Sequence, residues 1–287
     1  MISEFQRQNR KKYLGSSDAA KVLGVDPWTS PYDLWLEKTG QVEDKNIQND
    51  AIEVGNYCED AVLQWFADKK NLKVIRNQFR VHENGIMSAN MDAIVQDDPT
   101  QAIEVKTTGV TSYMVSEEWG EVGTSEVPDR IALQCYHQMA VLPELKVIWV
   151  PVLIGGVGFR HYVIERNQEL IENLEGIEAR FWNENVLGGE EPSDSLPSLE
   201  MLKRMKRIPE STIGVPASVL AVWLQAKADL SAAEKIKKEA ETELLRHLGS
   251  CEQGESEIGK VTYFLTQRKG YAVEPTSFRQ LRFSKSK

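Results

Sequence analysis

Apolar residues recur along this chain with two periods, and the switches between periods mark out its elements. Leu34, Trp35 and Leu36 follow Ser30-Pro31-Tyr32-Asp33, which reads as a serine N-cap, a first-turn proline and an acid at the capping-box position. A helix closed by Gly40 is expected there. Val54, Cys58, Val62, Leu63, Trp65 and Phe66 share one helical stripe and predict a helix over about 51–70. Leu72 to Val81 and Met87 to Val95 predict strands around His82-Glu83-Asn84-Gly85, whose Asn-Gly pair signals a hairpin. After a turn cluster, Gln101 to Lys106 reads as the next strand. Pro128 to Leu142 predicts a helix with Ile131, Cys135, Met139 and Leu142 on its stripe. Val147 to Ile154 is an apolar strand, and Gly155-Gly156 turns it into Phe159 to Glu165. A helix from about Gln168 to Asn185 closes the series. Helix, antiparallel meander, crossover helix, two strands and helix predict an α/β fold with a mixed central sheet flanked by helices.

Past this stretch the pattern changes. From Pro216 to Leu248, Trp223, Ala226, Leu230, Ala233, Ala240 and Leu244 alternate spacings of three and four, with Lys237 interrupting. That suits a long helix, either a hairpin arm or a short coiled coil. Two short strands are expected at about 257–267 and 272–283. The chain is therefore read as a core over 1–199 and a C-terminal extension over 200–287. Charge follows the same division. Residues 1–199 carry a net −14 and residues 200–287 a net +5. An acidic body with a basic tail suits DNA where positive charge lines one groove, and equally suits a solvated tail.

Composition removes several classes. Cys58, Cys135 and Cys251 lack CxxC spacing, which argues against a disulfide framework, a zinc knuckle and an iron–sulfur cluster. His82, His137, His161 and His247 are scattered without metal-ligand spacing. The longest apolar runs fall well short of the ~18 residues of a membrane span, and the N-terminus is polar, so a cytoplasmic location and no membrane contact are expected.

Candidate chemistry gathers on the strand 101–106. Ile103 and Val105 share one face, Glu104 and Lys106 the other, and Asp92 on the neighbouring strand can reach the same place. Two hard oxygen ligands beside a lysine suit a divalent ion that holds a phosphate. Taken alone, the pattern also fits a cross-strand surface pair. Glu59 is either a surface acid or a third carboxylate aimed at the sheet. Ser16 and Ser17 open a short helix after the basic cluster Arg7, Arg10, Lys11 and Lys12; they either cap it or help hold a phosphate. Gln134 and Gln138 lie four apart on one helix face.

Taken in order, Gly15-Ser16-Ser17-Asp18-Ala19-Ala20, Leu34 to Gly40, Gly55-Asn56-Tyr57-Cys58-Glu59, Asp92, Glu104-Val105-Lys106 and Gln134 to Gln138 resemble the YqaJ-type phage recombination nucleases. These are relatives of the lambda-type alkaline exonuclease within the PD-(D/E)XK superfamily, and the resemblance spans about residues 10–190. It implies a PD-(D/E)XK restriction-endonuclease-like core. It also implies a 5′–3′ exonuclease that degrades one strand of duplex DNA from its ends and leaves 3′ overhangs for recombination. By the same resemblance the metal ligands are Asp92, Glu104, the backbone carbonyl of Val105, and Glu59. Lys106 and Gln134 complete the catalytic set, with Gln138 and Ser16 as accessory positions. A 5′-phosphate pocket falls on Arg10 and Ser17, and Asn90 stands where the family carries a further serine. The implied cofactor is Mg²⁺, with Mn²⁺ able to substitute. Implied partners are double-stranded DNA ends, a single-strand annealing recombinase and two further copies in a homotrimer ring. The rival expectations are a PD-(D/E)XK endonuclease and an inactive DNA-end-binding module.

Overall fold

The computed structural model describes residues 11–43, 50–109 and 118–265. The chain divides into two compact units, Met1–Lys206 and Arg207–Lys287. In the first unit, β1 (Leu14–Gly15) leads through a 3-10 turn at Ser16–Asp18 into α1 (Ala19–Val22) and α2 (Pro31–Lys38). The long helix α3 (Asp50–Lys70) follows, then β2 (Val74–Val81), β3 (Met87–Val95), β4 (Gln101–Ile103) and β5 (Lys106–Thr108). Helix α4 (Asp129–Val141) crosses to β6 (Val147–Ile154), which turns back into β7 (Gly158–Glu165). Helix α5 (Gln168–Arg180) runs on into a π-helical segment, Phe181–Leu187, and α6 (Leu199–Arg204) ends the unit.

The seven strands form one mixed sheet. β2 pairs antiparallel along one side of β3. β1 and β4 share the other side, at Met87–Ser88 and at Ala93–Ile94. β7 occupies one side of β6, and β4 and β5 both lie parallel on the other. The sheet is therefore mixed, with helices on both faces. On one face Ile148, Val150, Val152 and Ile154 pack with Ile131, Cys135 and Met139 of α4 and Ile171 of α5. On the other, Ala93, Val95, Ile103 and Val105 meet Val62, Leu63 and Phe66 of α3. The stripe expected on α4 is buried throughout, whereas on α3 Val62, Leu63 and Phe66 are buried and Val54, about two turns earlier, is exposed. A third cluster joins Leu34, Trp35 and Leu36 to Phe181, Trp182 and Met201. Residues 200–206, assigned by sequence to the extension, thus pack on the first unit, because Met201 of α6 fills the gap between α2 and the π-helical segment.

Four local expectations need correction. The strand expected over 101–106 is broken: Glu104 and Val105 interrupt it, and only β4 also pairs with β3. No serine caps the turn at Ser16–Asp18; instead Asp18 accepts the Gly15 N–H at 3.1 Å. Ser30 does cap α2 at 3.1 Å, but Asp33 turns away from the capping box and accepts the Ser198 N–H at 2.8 Å. In the second unit α7 (Ala217–Leu248) is one uninterrupted helix, ended by Gly249 at φ +56°. Within the stretch expected at about 257–267 lies β9 (Gly259–Thr262), and it pairs with β8 (Gln253–Ser256), which was not expected. Gln253 to Ser256 lacks apolar alternation, so nothing in its sequence marked it as a strand. The stretch expected at 272–283 lies outside the described residues.

Each unit holds its own elements. A chain ended after Ser211 is expected to melt cooperatively and to keep its helix and sheet content by circular dichroism. A broad, non-cooperative melt of that fragment would show that residues 212–287 are needed for the core to fold.

Candidate active site

The break in the strand builds the site. β4 is bonded to both β3 and β6, whereas β5 pairs with β6. Between them the Glu104 N–H still donates to the Trp149 carbonyl at 2.9 Å, but the Val105 N–H turns to β3 and donates to the Asp92 carboxylate at 2.7 Å. A side-chain acceptor thus replaces a ladder carbonyl, and the sheet opens at Asp92. Opposite Asp92 on β2 stands Asn77 at φ +53°, between the paired residues Arg76 and Gln78. Asparagine tolerates this left-handed conformation, which distorts the ladder at the same point.

Glu104 lies inside this opening and is only 4% exposed. A buried carboxylate needs donors on both oxygens. Oε1 accepts from Lys106 Nζ at 2.6 Å and from Gln134 Nε2 at 2.6 Å. Oε2 accepts from Gln138 Nε2 at 2.6 Å. Lys106 also donates to Gln134 Oε1 at 2.8 Å. The two glutamines lie four apart on α4, so one helix face serves both oxygens. Gln138 Oε1 is buried without a hydrogen-bond partner.

The charges here depend on one another. Burial pushes the half-buried Asp92 well above the usual carboxylate range, and Glu104 beside it adds to the shift. Burial alone would lower the Lys106 ammonium, but Glu104 and Asp92 outweigh it and hold its pKa above the ordinary value. Burial and the same acids push the Cys135 thiol up, so it stays a neutral core group. Lys106 is therefore charged here, and Asp92 holds its proton more tightly than an ordinary carboxyl.

Glu59 comes from the opposite face. Gly55, one turn earlier on α3, allows the approach to β5; a Cβ there would lie 3.3 Å from Thr107 Oγ1. Glu59 raises the Asp92 pKa, yet its carboxylate is engaged by Arg76 at 3.3 Å. Among the described residues no three acid, histidine or cysteine side chains converge as a ready-made metal cage. The donor set nevertheless fits a divalent cation: hard oxygens, a carboxylate pair short of positive charge, and an unpartnered amide oxygen beside it.

The phosphate-pocket positions are placed in part. Gly15 lies beside Ser88 on β3, so the chain leads Ser16 and Ser17 along β3 toward Asn90 and Asp92. Ser17 is exposed, Asn90 half-buried and Ser16 buried. Asp18 anchors the turn through Lys21 at 2.8 Å and Lys38 at 2.6 Å. Burial opposes its charge, but the two ammoniums hold its pKa far below the usual range. Arg10 lies outside the described residues.

A YqaJ-like viral recombinase domain model matches residues 6–142, from ahead of β1 to the end of α4. A Bacillus subtilis protein, the uncharacterized YqaJ, is 32% identical over 255 residues, covering 85% of this chain and 78% of that protein. This chain belongs to the YqaJ family. An alkaline exonuclease of Laribacter hongkongensis, LHK-Exo, superposes with a TM-score of 0.50 at 16% identity, over 63% of this chain and 92% of that one. The same enzyme solved with dAMP superposes equally well. At that identity the match is one of fold.

The resemblance left one pair in this YqaJ-family chain unread. His137, next to Gln138 on α4, is fully buried. Its Nδ1 meets Glu178 Oε1 of α5 at 2.9 Å and its Nε2 meets the Ser88 carbonyl of β3 at 3.0 Å. With Glu178 ionised both partners are acceptors, and the ring between them is then an imidazolium. Burial lowers its pKa, but Glu178 and the Ser88 carbonyl outweigh that and raise it. The pair pins α4, and with it Gln134 and Gln138, against the strand that carries Asp92. A histidine amid apolar helix positions gave no signal without its partner 41 residues away.

A raised histidine pKa contributes stability that is complete below the ordinary value and lost as pH rises through the folded value. In chelator-containing buffer, the melting temperature is expected to fall from about pH 6 to pH 9, with a flatter profile for His137→Gln. Identical slopes in the two proteins would remove the imidazolium assignment.

Proposed function

We propose that this chain is a divalent-metal-dependent deoxyribonuclease that degrades one strand of duplex DNA from its 5′ end, leaving 3′ single-stranded overhangs for phage-type recombination. One observation carries the reading: where the sheet opens, Lys106 donates to Glu104, and Asp92 accepts the N–H of Val105, the residue between them. Asp92, Glu104, the Val105 carbonyl and Glu59 would hold the cation. Mg²⁺ suits these hard oxygens, and Mn²⁺ can substitute. Bound there, the cation supplies Lewis acidity towards the scissile phosphodiester and towards water. The chain does the rest. Gln134 and Gln138 orient Glu104. Lys106, held as an ammonium by the two acids, presents an N–H to the phosphate or to the attacking water and balances charge as the bond breaks.

Ser17, Asn90 and Arg10 are assigned to the terminal 5′-phosphate. Asn90 lies two residues before Asp92 on β3, Ser17 follows the strand paired to β3 at Ser88, and a guanidinium can take two phosphate oxygens at once. A double-stranded DNA end is thus the substrate. A homotrimer ring and an annealing recombinase partner follow from the family resemblance. Basic residues of the C-terminal extension are assigned to the duplex backbone.

End-labelled linear duplex should be degraded with Mg²⁺ and spared in chelator, while covalently closed circular DNA resists. Cutting of the circle would turn the reading into an endonuclease. Lys106→Ala should lower turnover by roughly 10²–10⁴-fold with duplex binding retained. Near-normal turnover in that folded variant would remove Lys106 from the chemistry.

A second comparison tests polarity. The wild type should prefer 5′-phosphorylated over 5′-hydroxyl duplex, and Arg10→Ala should erase most of that preference. A ratio that survives the substitution would assign Arg10 to non-specific attraction and weaken the 5′ polarity with it.

A further inference from the structure

Arg76 stands beside the acids but takes no part in the chemistry above. It lies on β2 opposite Ala93, the residue after Asp92. Its guanidinium forks onto two neighbouring carboxylates of α3. Nη1 lies 2.5 Å from Asp60 Oδ1, and Nη2 lies 3.3 Å from Glu59 Oε1. Nε is buried without a hydrogen-bond partner. The fork is unequal. The short arm holds Asp60, whose side chain is 74% exposed, and the long arm holds Glu59, the acid that acts on Asp92. A guanidinium clamped two-pronged on Glu59 alone would be far harder to displace. Split between two acids, it releases one while the other keeps it in place.

We propose that Arg76 is a positioning residue that, anchored on Asp60, holds the Glu59 carboxylate until a divalent cation displaces it, and so sets the cation affinity of the site. This rests on reading Glu59 as a cation ligand. The cation must break the 3.3 Å bond to reach Glu59. Both groups of that bond are about one-third exposed, at 36% and 34%, so solvent screens the pair and the competition is modest. Asp60 keeps the displaced guanidinium at the site.

The test is a calorimetric titration of DNA-free protein with Mn²⁺. Arg76→Gln should bind Mn²⁺ roughly two- to fivefold more tightly than wild type. Arg76→Lys, which keeps the charge but cannot fork, should fall between the two. Asp60→Asn should bind more weakly, because the unanchored guanidinium closes on Glu59. In the Arg76→Gln/Asp60→Asn double variant the Asp60 effect should vanish, since Asp60 acts through Arg76. Unchanged or weaker binding by Arg76→Gln overturns the proposal. So does an Asp60→Asn loss of equal size in both backgrounds, which would make Asp60 a plain nearby charge. Glu59→Gln separates the two levels. If it weakens Mn²⁺ binding while Arg76→Gln has no effect, Glu59 remains a ligand and the Arg76 proposal alone falls. If it leaves Mn²⁺ binding unchanged, the ligand reading falls and takes the proposal with it.

Discussion

A carboxylate that is 4% exposed must be met by donors, and Glu104 sets that demand at the centre of the first unit. Removing any one donor would leave charge buried without compensation, which is costlier than never burying it. Its two oxygens require three donors, and these come from two elements: Lys106 from β5, Gln134 and Gln138 from α4. The crossover helix is therefore positioned twice. Ile131, Cys135 and Met139 bury its apolar stripe, and the neighbouring face is fixed by polar geometry. Hydrophobic burial is non-directional and would tolerate small rotations of α4. Hydrogen bonds of 2.6 Å to one carboxylate would not. His137 adds a third constraint on the same helix, through Glu178 on α5 and the Ser88 carbonyl on β3.

The same site is over-supplied with negative charge. Asp92 lies beside Glu104, and Glu59 adds to its field. The protein offsets this by three routes: a raised proton affinity at Asp92, the ammonium of Lys106, and the guanidinium of Arg76. Lys106 is already committed to Glu104 and Gln134, which favours a role as a charged donor over that of a neutral base. Only a further positive charge close by would push it toward its neutral form.

Much of this was legible in the sequence because periodic patterns record burial. The stripe of α4, the buried half of the α3 stripe and the run Val147–Ile154 were readable, and so was the hairpin turn at Asn84-Gly85. The acid-x-Lys pattern gave the right face for Glu104 and Lys106. The break between β4 and β5 was not readable, because it arises from a side chain 13 positions away taking the Val105 N–H. Asp33 carried a capping signal whose partner proved to be tertiary, the Ser198 N–H. Arg76 and His137 were silent for the same reason. A charged residue on a strand or a histidine on a helix acquires meaning only from what the fold sets opposite it.

The break also explains why the acids meet where they do. A continuous strand would pair with β3 through Lys106, and Asp92 would face a ladder position already satisfied. By releasing Val105 to the Asp92 carboxylate, the chain ends β3–β4 pairing one residue short of the acid. The opening that results lies between the two layers of helix. Glu104 looks toward α4, while Glu59 approaches from α3 on the other face, with Gly55 admitting the helix to β5. The two hydrophobic cores are thus coupled at this point by polar groups. A change in the packing of either, at Phe66 or at Met139, would move one set of acids relative to the other. In such a site the cores place the two helices, and the hydrogen bonds from α4 to Glu104 then fix the fine position that packing alone leaves free.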